Sequence, residues 1–382
     1  MRQFFRKGRR LIMAALFLVL FSIPVQAAPP ETAARAAVVY DVGTGTVLYE
    51  KAGGERLPMA STTKIMTAYL VLESAALCDR VVTVSETAVS VEGSSAGLRA
   101  GDRIRLSDLA ACMLLASGND AAVAGAEAVG GSEEVFVRRM NQTAAQWGLT
   151  DTHFDTASGL DGDTHYTTAC ELAKITARAL ENERFAELCA CKNAAVSVLG
   201  ADGTARTISL TNHNKLLWQL ENCVGVKTGY TEKSGRCLVS CIRQEGATLV
   251  VVTLRDPNDW QDHAALQEYG LSCMDRIAVS EEDVSYTVPL KDGGEMLCLP
   301  QEETITFCLP VQKKELVRSL EWEELSAVPE KGEAVGSILY TWQGKEIGRI
   351  PITVVSVRQP PVPEEDPWWV LWWEGLLSFL HL

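Results

Sequence analysis

Pro58-Met59-Ala60-Ser61-Thr62-Thr63-Lys64-Ile65-Met66-Thr67-Ala68 is the stretch around which the rest of the chain is organised. Ser61 and Lys64 stand three apart. On a helix that spacing shares a face, so the Lys64 amine can reach the Ser61 hydroxyl. A serine hydroxyl is a weak nucleophile until a base takes its proton. Lysine serves as that base only when neutral, and burial or a nearby cation favours the neutral amine. The following residues, Ile65, Met66, Ala68, Tyr69, Leu70, Val71 and Leu72, predict a helix buried on most faces. A serine and a lysine in the first turn of a buried helix predict a covalent active site.

About one or two S-x-x-K matches are expected by chance in a chain of this size, so the pair needs company. It has two companions. Ser117-Gly118-Asn119 follows an apolar run at 109–116, and Lys227-Thr228-Gly229 follows Cys223-Val224-Gly225-Val226. K-T-G is expected only about 0.1 times by chance. Working outward, 36–40 and 46–50 read as strands around the turn Asp41-Val42-Gly43-Thr44-Gly45. Helices are predicted from Leu106, from Asp120, after the cap Ser132, and after Thr168. Strands return at Lys227, 236–242 and 247–254, and a helix at 263–271 closes the unit. Strands at both ends frame a helical middle, which predicts one α+β domain over 28–276.

From about Ile277 the texture changes to short strands separated by turn signals such as Gln343-Gly344, predicting a small all-β, sandwich-like domain over 277–358. Residues 359–367 read as a proline-rich acidic linker. Residues 368–382 read as an amphipathic helix, with Glu374, Ser378 and His381 on one stripe and Trp368, Trp369, Trp372 and Trp373 among the apolar remainder. The segment is too short to span a bilayer and tryptophan-rich, so it predicts an interfacial membrane anchor.

Arg2, Arg6, Lys7, Arg9 and Arg10 precede an apolar core and the small-residue site Val25-Gln26-Ala27, predicting an export leader over 1–27. The 382-residue chain carries a net charge of −14, and loss of the leader's five basic residues would make it −19. That charge excludes nucleic acid as a partner and electrostatic adhesion to anionic lipid. The predicted location is the extracytoplasmic face of the cell membrane. All 11 cysteines follow the leader, an odd number lying mostly in apolar patterns, so few or no disulfides are expected. No metal or cofactor is expected, since Cys189-x-Cys191 is too close for a zinc pair.

S-x-x-K, S-D-N and K-T-G together are the signature shared by class A β-lactamases and penicillin-binding proteins, and Ser117-Gly118-Asn119 keeps the serine and asparagine of the second. With the leader and the architecture, the chain resembles the D-alanyl-D-alanine carboxypeptidases, low-molecular-weight penicillin-binding serine peptidases. The resemblance also rests on Ser158-Gly159-Leu160, on His165-Tyr166-Thr167-Thr168 and on Val226-Lys227-Thr228-Gly229-Tyr230-Thr231. It implies a β-lactamase/transpeptidase-like catalytic fold, peptidoglycan stem peptides as substrate, and β-lactams as inhibitors. It further implies Ser61 as nucleophile, Lys64 as base and Ser117 as proton relay. Asn119 would hold the substrate amide or Lys64. Lys227 would add positive charge that keeps Lys64 deprotonated and, with Thr228, would meet the terminal carboxylate; Gly229 would let the substrate backbone approach, and the N–H groups of Ser61 and Tyr230 would form the oxyanion hole. The family usually carries a carboxylate-binding arginine ahead of the closing helix; here Arg255 is the candidate, several residues early. His165 and His213 are read as hydrogen-bonded scaffold.

A class A β-lactamase needs a deacylating glutamate, usually in E-x-x-L-N, and Glu171-Leu172-Ala173-Lys174 does not fit. A D,D-endopeptidase cutting cross-links is the nearer alternative. A non-enzymatic wall-binding or penicillin-sensing module has no need of nucleophile and base together.

Overall fold

Runs of valine and other apolar residues at both ends of the first domain meet in one sheet. The computed structural model describes residues 28–291, 293–310, 316–325 and 327–358. The leader expected at 1–27, the linker at 359–367 and the helix at 368–382 lie outside them.

β1 (Ala36–Asp41) and β2 (Thr46–Lys51) form a hairpin. A 3₁₀ turn, Ala60–Thr63, runs into α1 (Lys64–Leu77), buried at Lys64 through Ala68 and again at Leu70, Val71 and Leu72. β3 (Val81–Thr83), α2 (Glu86–Val89) and β4 (Arg103–Arg105) lead to α3 (Leu106–Leu114) and α4 (Asn119–Gly130). α5 (Glu133–Gln146) starts at Ser132 and α6 (Ala169–Ala179) at Thr168. Each cap side chain accepts a backbone N–H from the first turn, which replaces one bond the helix start lacks. α7 (Glu183–Ala190), β5 (Asn193–Leu199), β6 (Ala205–Thr211) and α8 (Leu216–Gln219) follow. β7 (Cys223–Thr231), β8 (Gly235–Gln244), β9 (Ala247–Leu254) and α9 (Asp259–Ser272) complete the unit.

Among the described residues the main sheet has the order β2-β1-β9-β8-β7, so the first hairpin and the last strands join side by side. α1, α3 and α4 share one apolar cluster with Val250, Val252 and Leu254 of β9. On the other face, Leu266 of α9 packs on Ala37, Val39, Leu249 and Val251. Among the described residues β7 is an edge strand, paired with β8 alone, and at Gly229 it runs beside the 3₁₀ turn that precedes α1. An edge strand that stays exposed invites pairing with another chain.

Two expectations need correction. Sequence reading assigns no element between Leu180 and Leu217, yet α7, β5 and β6 are there. β5 and β6 bury only Val196, Val198, Ile208 and Leu210; the outward faces carry Leu199 and two alanines besides Asn, Ser and Thr, and Arg206 stands on the inward face, so the alternation has low contrast. The boundary expected at 277 falls inside β10 (Met274–Ser280). Its partner β13 (Thr304–Pro310) lies far along the chain, and a long-range pairing leaves no local mark.

Between them come β11 (Tyr286–Pro289) and β12 (Glu295–Pro300). β14 (Leu316–Trp322), β15 (Ala334–Trp342) and β16 (Lys345–Arg358) follow. These five form a sheet of order β11-β12-β16-β15-β14, and it shares one core of Met296, Cys298, Phe307, Ile338, Tyr340 and Ile350 with β10–β13. Lys345 ties the two units, donating to the Gly43 carbonyl at 2.8 Å.

Candidate active site

The nucleophile turn is shaped before any chemistry is considered. Ala60 has φ +48°, a left-handed conformation that costs an alanine about 1–2 kcal/mol. Its carbonyl is held by the Thr63 hydroxyl at 2.8 Å. Gly159 sits against that carbonyl at φ +86°, and a Cβ on it would lie 2.1 Å from the Ala60 oxygen. No other residue fits there, so Gly159 is what allows the Ser158 carbonyl to reach the base.

Lys64 is fully buried at 0% exposure. Its Nζ lies 3.0 Å from Ser61 Oγ, 2.6 Å from Asn119 Oδ1 and 2.5 Å from the Ser158 carbonyl oxygen. Asn119 is fixed at its other end, donating from Nδ2 to the Glu92 carbonyl at 2.6 Å. Burial first, and the Lys227 charge second, hold the Lys64 amine well below the usual lysine range. Lys227 is 1% exposed, donates to the Thr228 carbonyl at 2.9 Å, and is brought down by burial to about 7. The site therefore buries two amines, which is unstable for charged groups and favours at least one neutral lysine.

Above this floor opens a cleft of about 590 Å³. Ser61, Ser94, Ser117 and His213 line it together with Thr228, Gly229 and Tyr230 of β7. Arg236, Asp259 and Trp260 form its far end. Ser117 has φ +59°, a second non-glycine residue in the left-handed region at the same site. Gly229 presses on the nucleophile turn, where an added Cβ would lie 3.1 Å from Ser61 N, Thr62 N and the Met59 oxygen. The eight residues singled out from sequence thus converge: Ser61, Ser117, Thr228, Gly229 and Tyr230 on the cleft, Lys64, Asn119 and Lys227 buried beneath it.

The remaining expectations sort by contact. His165 is scaffold. Asp155 N–H donates to its Nδ1 at 2.9 Å, and its Nε2 faces the Thr63 hydroxyl at 2.7 Å. Because that hydroxyl already donates to Ala60, the proton sits on Nε2 and the ring is neutral; burial brings it down to about 4. His213 differs from the scaffold reading, since it lines the cleft and, among the described residues, is held by its backbone N–H, which donates to the Leu115 carbonyl. Glu171 accepts from Asp151 N–H and from the Thr152 hydroxyl, both away from the cleft. Arg255 has φ +50° and donates to the Lys233 carbonyl at 2.5 Å; it does not line the cleft. Sequence reading missed Ser94, Arg236, Asp259 and Trp260, which stand in no motif.

All eleven cysteines are free. No cluster of three or more His, Cys, Asp or Glu suited to a metal occurs among the described residues, and none of their helices is long and apolar enough to cross a membrane.

The chain is similar to known proteins over most of its length. A profile of the D-alanyl-D-alanine carboxypeptidase family matches residues 23–258. The D-alanyl-D-alanine carboxypeptidase DacC of Escherichia coli is 32% identical over 381 residues, covering 93% of each chain. The crystal structure of the D-alanyl-D-alanine carboxypeptidase DacD from Francisella tularensis is similar over 92% of this chain and 100% of its own, at 26% identity and a TM-score of 0.65. The Streptomyces K15 DD-transpeptidase covers 64% of this chain and 100% of its own, at 32% identity and a TM-score of 0.62.

Proposed function

The chain belongs to the D-alanyl-D-alanine carboxypeptidase family, serine peptidases of peptidoglycan, and from that premise we propose how its cleft divides the work. One observation carries the proposal. Two of the three partners of Lys64 Nζ are carbonyl oxygens, which can only accept, and the third is a hydroxyl, which can do either. A neutral amine has two N–H groups and one lone pair. It donates to Asn119 and Ser158, and its lone pair is left for the Ser61 O–H.

Ser61 therefore gives its proton to Lys64 as Oγ attacks the carbonyl of the penultimate D-alanine. The amide C–N bond breaks and the proton passes to the departing D-alanine nitrogen, with Ser117 as relay. Water then attacks the ester, again losing a proton to Lys64, and frees the shortened stem peptide and Ser61. The oxyanion rests on the N–H groups of Ser61 and Tyr230, and one such donor is typically worth roughly 3 kcal/mol of barrier. The open edge of β7 supports this placement, since an extended peptide can pair with it where Gly229 brings strand and nucleophile turn together. Lys227, buried behind that edge, acts through its charge on Lys64. β-Lactams acylate the same serine.

The leader and the amphipathic tail expected from the sequence complete the reading: export, then attachment to the extracytoplasmic face of the cell membrane through 368–382. Extraction tests this last part, since detergent should release the protein and high salt should not. For the site, fluorescent penicillin should label the Ser61 peptide alone, and D-alanine should be released from a pentapeptide. Label retained in Ser61→Ala would overturn the assignment. Cleavage of cross-linked dimers with the pentapeptide left intact would make the enzyme an endopeptidase.

A further inference from the structure

Away from the catalytic cleft, basic side chains gather on one face of a chain whose net charge is −14. α5 turns Arg138, Arg139, Gln142 and Gln146 to one side at spacings of three and four, and Trp147 is its C-cap. These side chains line a groove of about 550 Å³ whose other wall holds Tyr69 and Glu73 of α1. The Tyr69 and Trp147 rings meet at 5.4 Å, tilted by 57°. Trp147 also lines a second groove, of about 240 Å³, with Tyr40 of β1, Lys174 and Arg178 of α6, and Lys345 of β16. The grooves thus join at the indole into one track that runs from the first unit to the second. No residue of the catalytic cleft lines either of them.

Arg138, Arg139, Lys174, Arg178 and Lys345 are all exposed, against the carboxylates Glu73 and Glu181 within the track. Glu73 accepts from Asn182 Nδ2 at 2.8 Å. Glu181 pairs with Arg178 at 3.5 Å, but both side chains are more than half exposed, so water screens the pair. Lys345 donates to the Val42 and Gly43 carbonyls, which carry no charge. Asp41 and Glu134 act on Lys345 and Arg138 from outside the grooves, and the track stays positive with them counted. Salt limits the reach of a charge to about 8 Å, so a ligand in the track meets this patch rather than the net charge of the chain. The indole and phenol offer a flat apolar platform, rimmed by guanidinium and amide groups. A sugar ring is its complement, with an apolar C–H face and hydroxyls around the edge. Two joined grooves admit a linear chain of such rings, whereas a flat lipid surface would rest on their rims.

We propose that this track binds an anionic glycopolymer, with sugar rings on the Trp147–Tyr69 platform and phosphate or carboxylate groups on Arg138, Arg139, Lys174, Arg178 and Lys345. Gln142 and Gln146 meet the hydroxyls. Such a site holds the enzyme on a charged polysaccharide while the catalytic cleft stays open to stem peptides. Binding here needs no hydrolysis, so it stands or falls separately from the carboxypeptidase reading.

The test titrates the full-length protein with three probes by calorimetry: poly(N-acetylglucosamine phosphate), oligogalacturonate and a neutral chito-oligosaccharide. One or both anionic chains should bind, more weakly as salt rises, and the neutral chain should bind least. Tighter binding of the first names phosphodiesters as the ligand groups, and tighter binding of the second names uronates. The double variant Arg138→Ser, Arg139→Ser should lose about tenfold in affinity or more, and Trp147→Ala a similar factor. Arg243→Ser, an exposed arginine outside the track, should bind like wild type. Hydrolysis of a small acyl-D-alanyl-D-alanine peptide should be unaltered in the double variant. Failure of both anionic chains to bind, equal binding of the neutral chain, or unchanged affinity in the double variant would overturn the proposal. So would phosphatidylglycerol vesicles that bind through Arg138 and Arg139 while both polymers do not. If Trp147→Ala fails to fold, the double variant decides alone, since both of its side chains are exposed.

Discussion

Two buried polar clusters, one in each unit of the molecule, are built on opposite rules. In the second unit Glu281, 2% exposed at its side chain, is held by Arg318 at 2.7 and 2.8 Å and by the Tyr340 hydroxyl, and Arg318 also reaches Tyr286 at 2.5 Å. Opposite charges meet there. The Glu281 carboxyl is drawn below its usual range by the Arg318 hydrogen bonds, and the same bonds raise the guanidinium. In the first unit two lysines are buried with no carboxylate among the described residues in hydrogen-bond contact, and both are pushed down. A matched cluster keeps its charges and locks strands together. An unmatched one favours a neutral amine, at the expense of stability.

That contrast can be broken by substitution. The largest effect belongs to Lys64→Ala, which removes the proposed base and should slow acylation of Ser61 by about 10³-fold or more, read as the second-order rate with a fluorescent penicillin. Near-normal acylation would show that another group takes the proton.

Lys227→Met comes next. It should slow acylation roughly 10- to 100-fold at neutral pH, since a positive neighbour of Lys64 is gone. It should also stabilise the fold there. The folded pKa of Lys227 is about 7, against roughly 10.4 for a free lysine, so between these values the unfolded chain holds a proton that the native state has lost. Stability of the wild type therefore rises with pH across that window, and part of this rise should vanish in the variant. Urea unfolding at pH 7 and pH 10 measures it. A variant less stable at pH 7, with the full wild-type rise, would mean that the lysine is matched after all.

The smallest effect on activity should come from Glu281→Gln. Breaking a buried pair costs several kcal/mol, but Arg318 is 36% exposed and water takes over part of the loss, so about 2 kcal/mol is expected. Hydrolysis of small peptides should stay near wild type. The Glu281 contribution is present above the unfolded carboxyl value of about 4.3 and is lost as pH falls through the lower folded value. Unfolding of the β-rich unit should accordingly become less acid-sensitive in the variant. An unchanged acid transition would show that the pair does not bolt this unit.

The first cluster was legible in the chain and the second was not. Ser61, Lys64, Ser117, Asn119 and Lys227-Thr228-Gly229 stand in short motifs because their chemistry needs fixed residue types at fixed local spacing: a first turn of a helix, a helix start, a strand. Caps at Ser132 and Thr168 were legible for the same reason, since a cap acts over three residues. Glu281, Arg318 and Tyr340 are far apart in sequence, and each alone is an ordinary strand or turn residue.

The sequence alone thus determined the α+β class, the order of helices and strands around Ser61, and the motif residues that converge at the cleft, all of them matters of local periodicity and local chemistry. Only the tertiary structure decided that β7 is an edge strand, that the Ser158 carbonyl, 94 residues away, completes the surroundings of Lys64, and that Arg236 rather than Arg255 faces the cleft. Those facts depend on which strands pair and how a helix start meets a strand. Such contacts are selected by burial of the whole core, to which no single stretch of sequence has access.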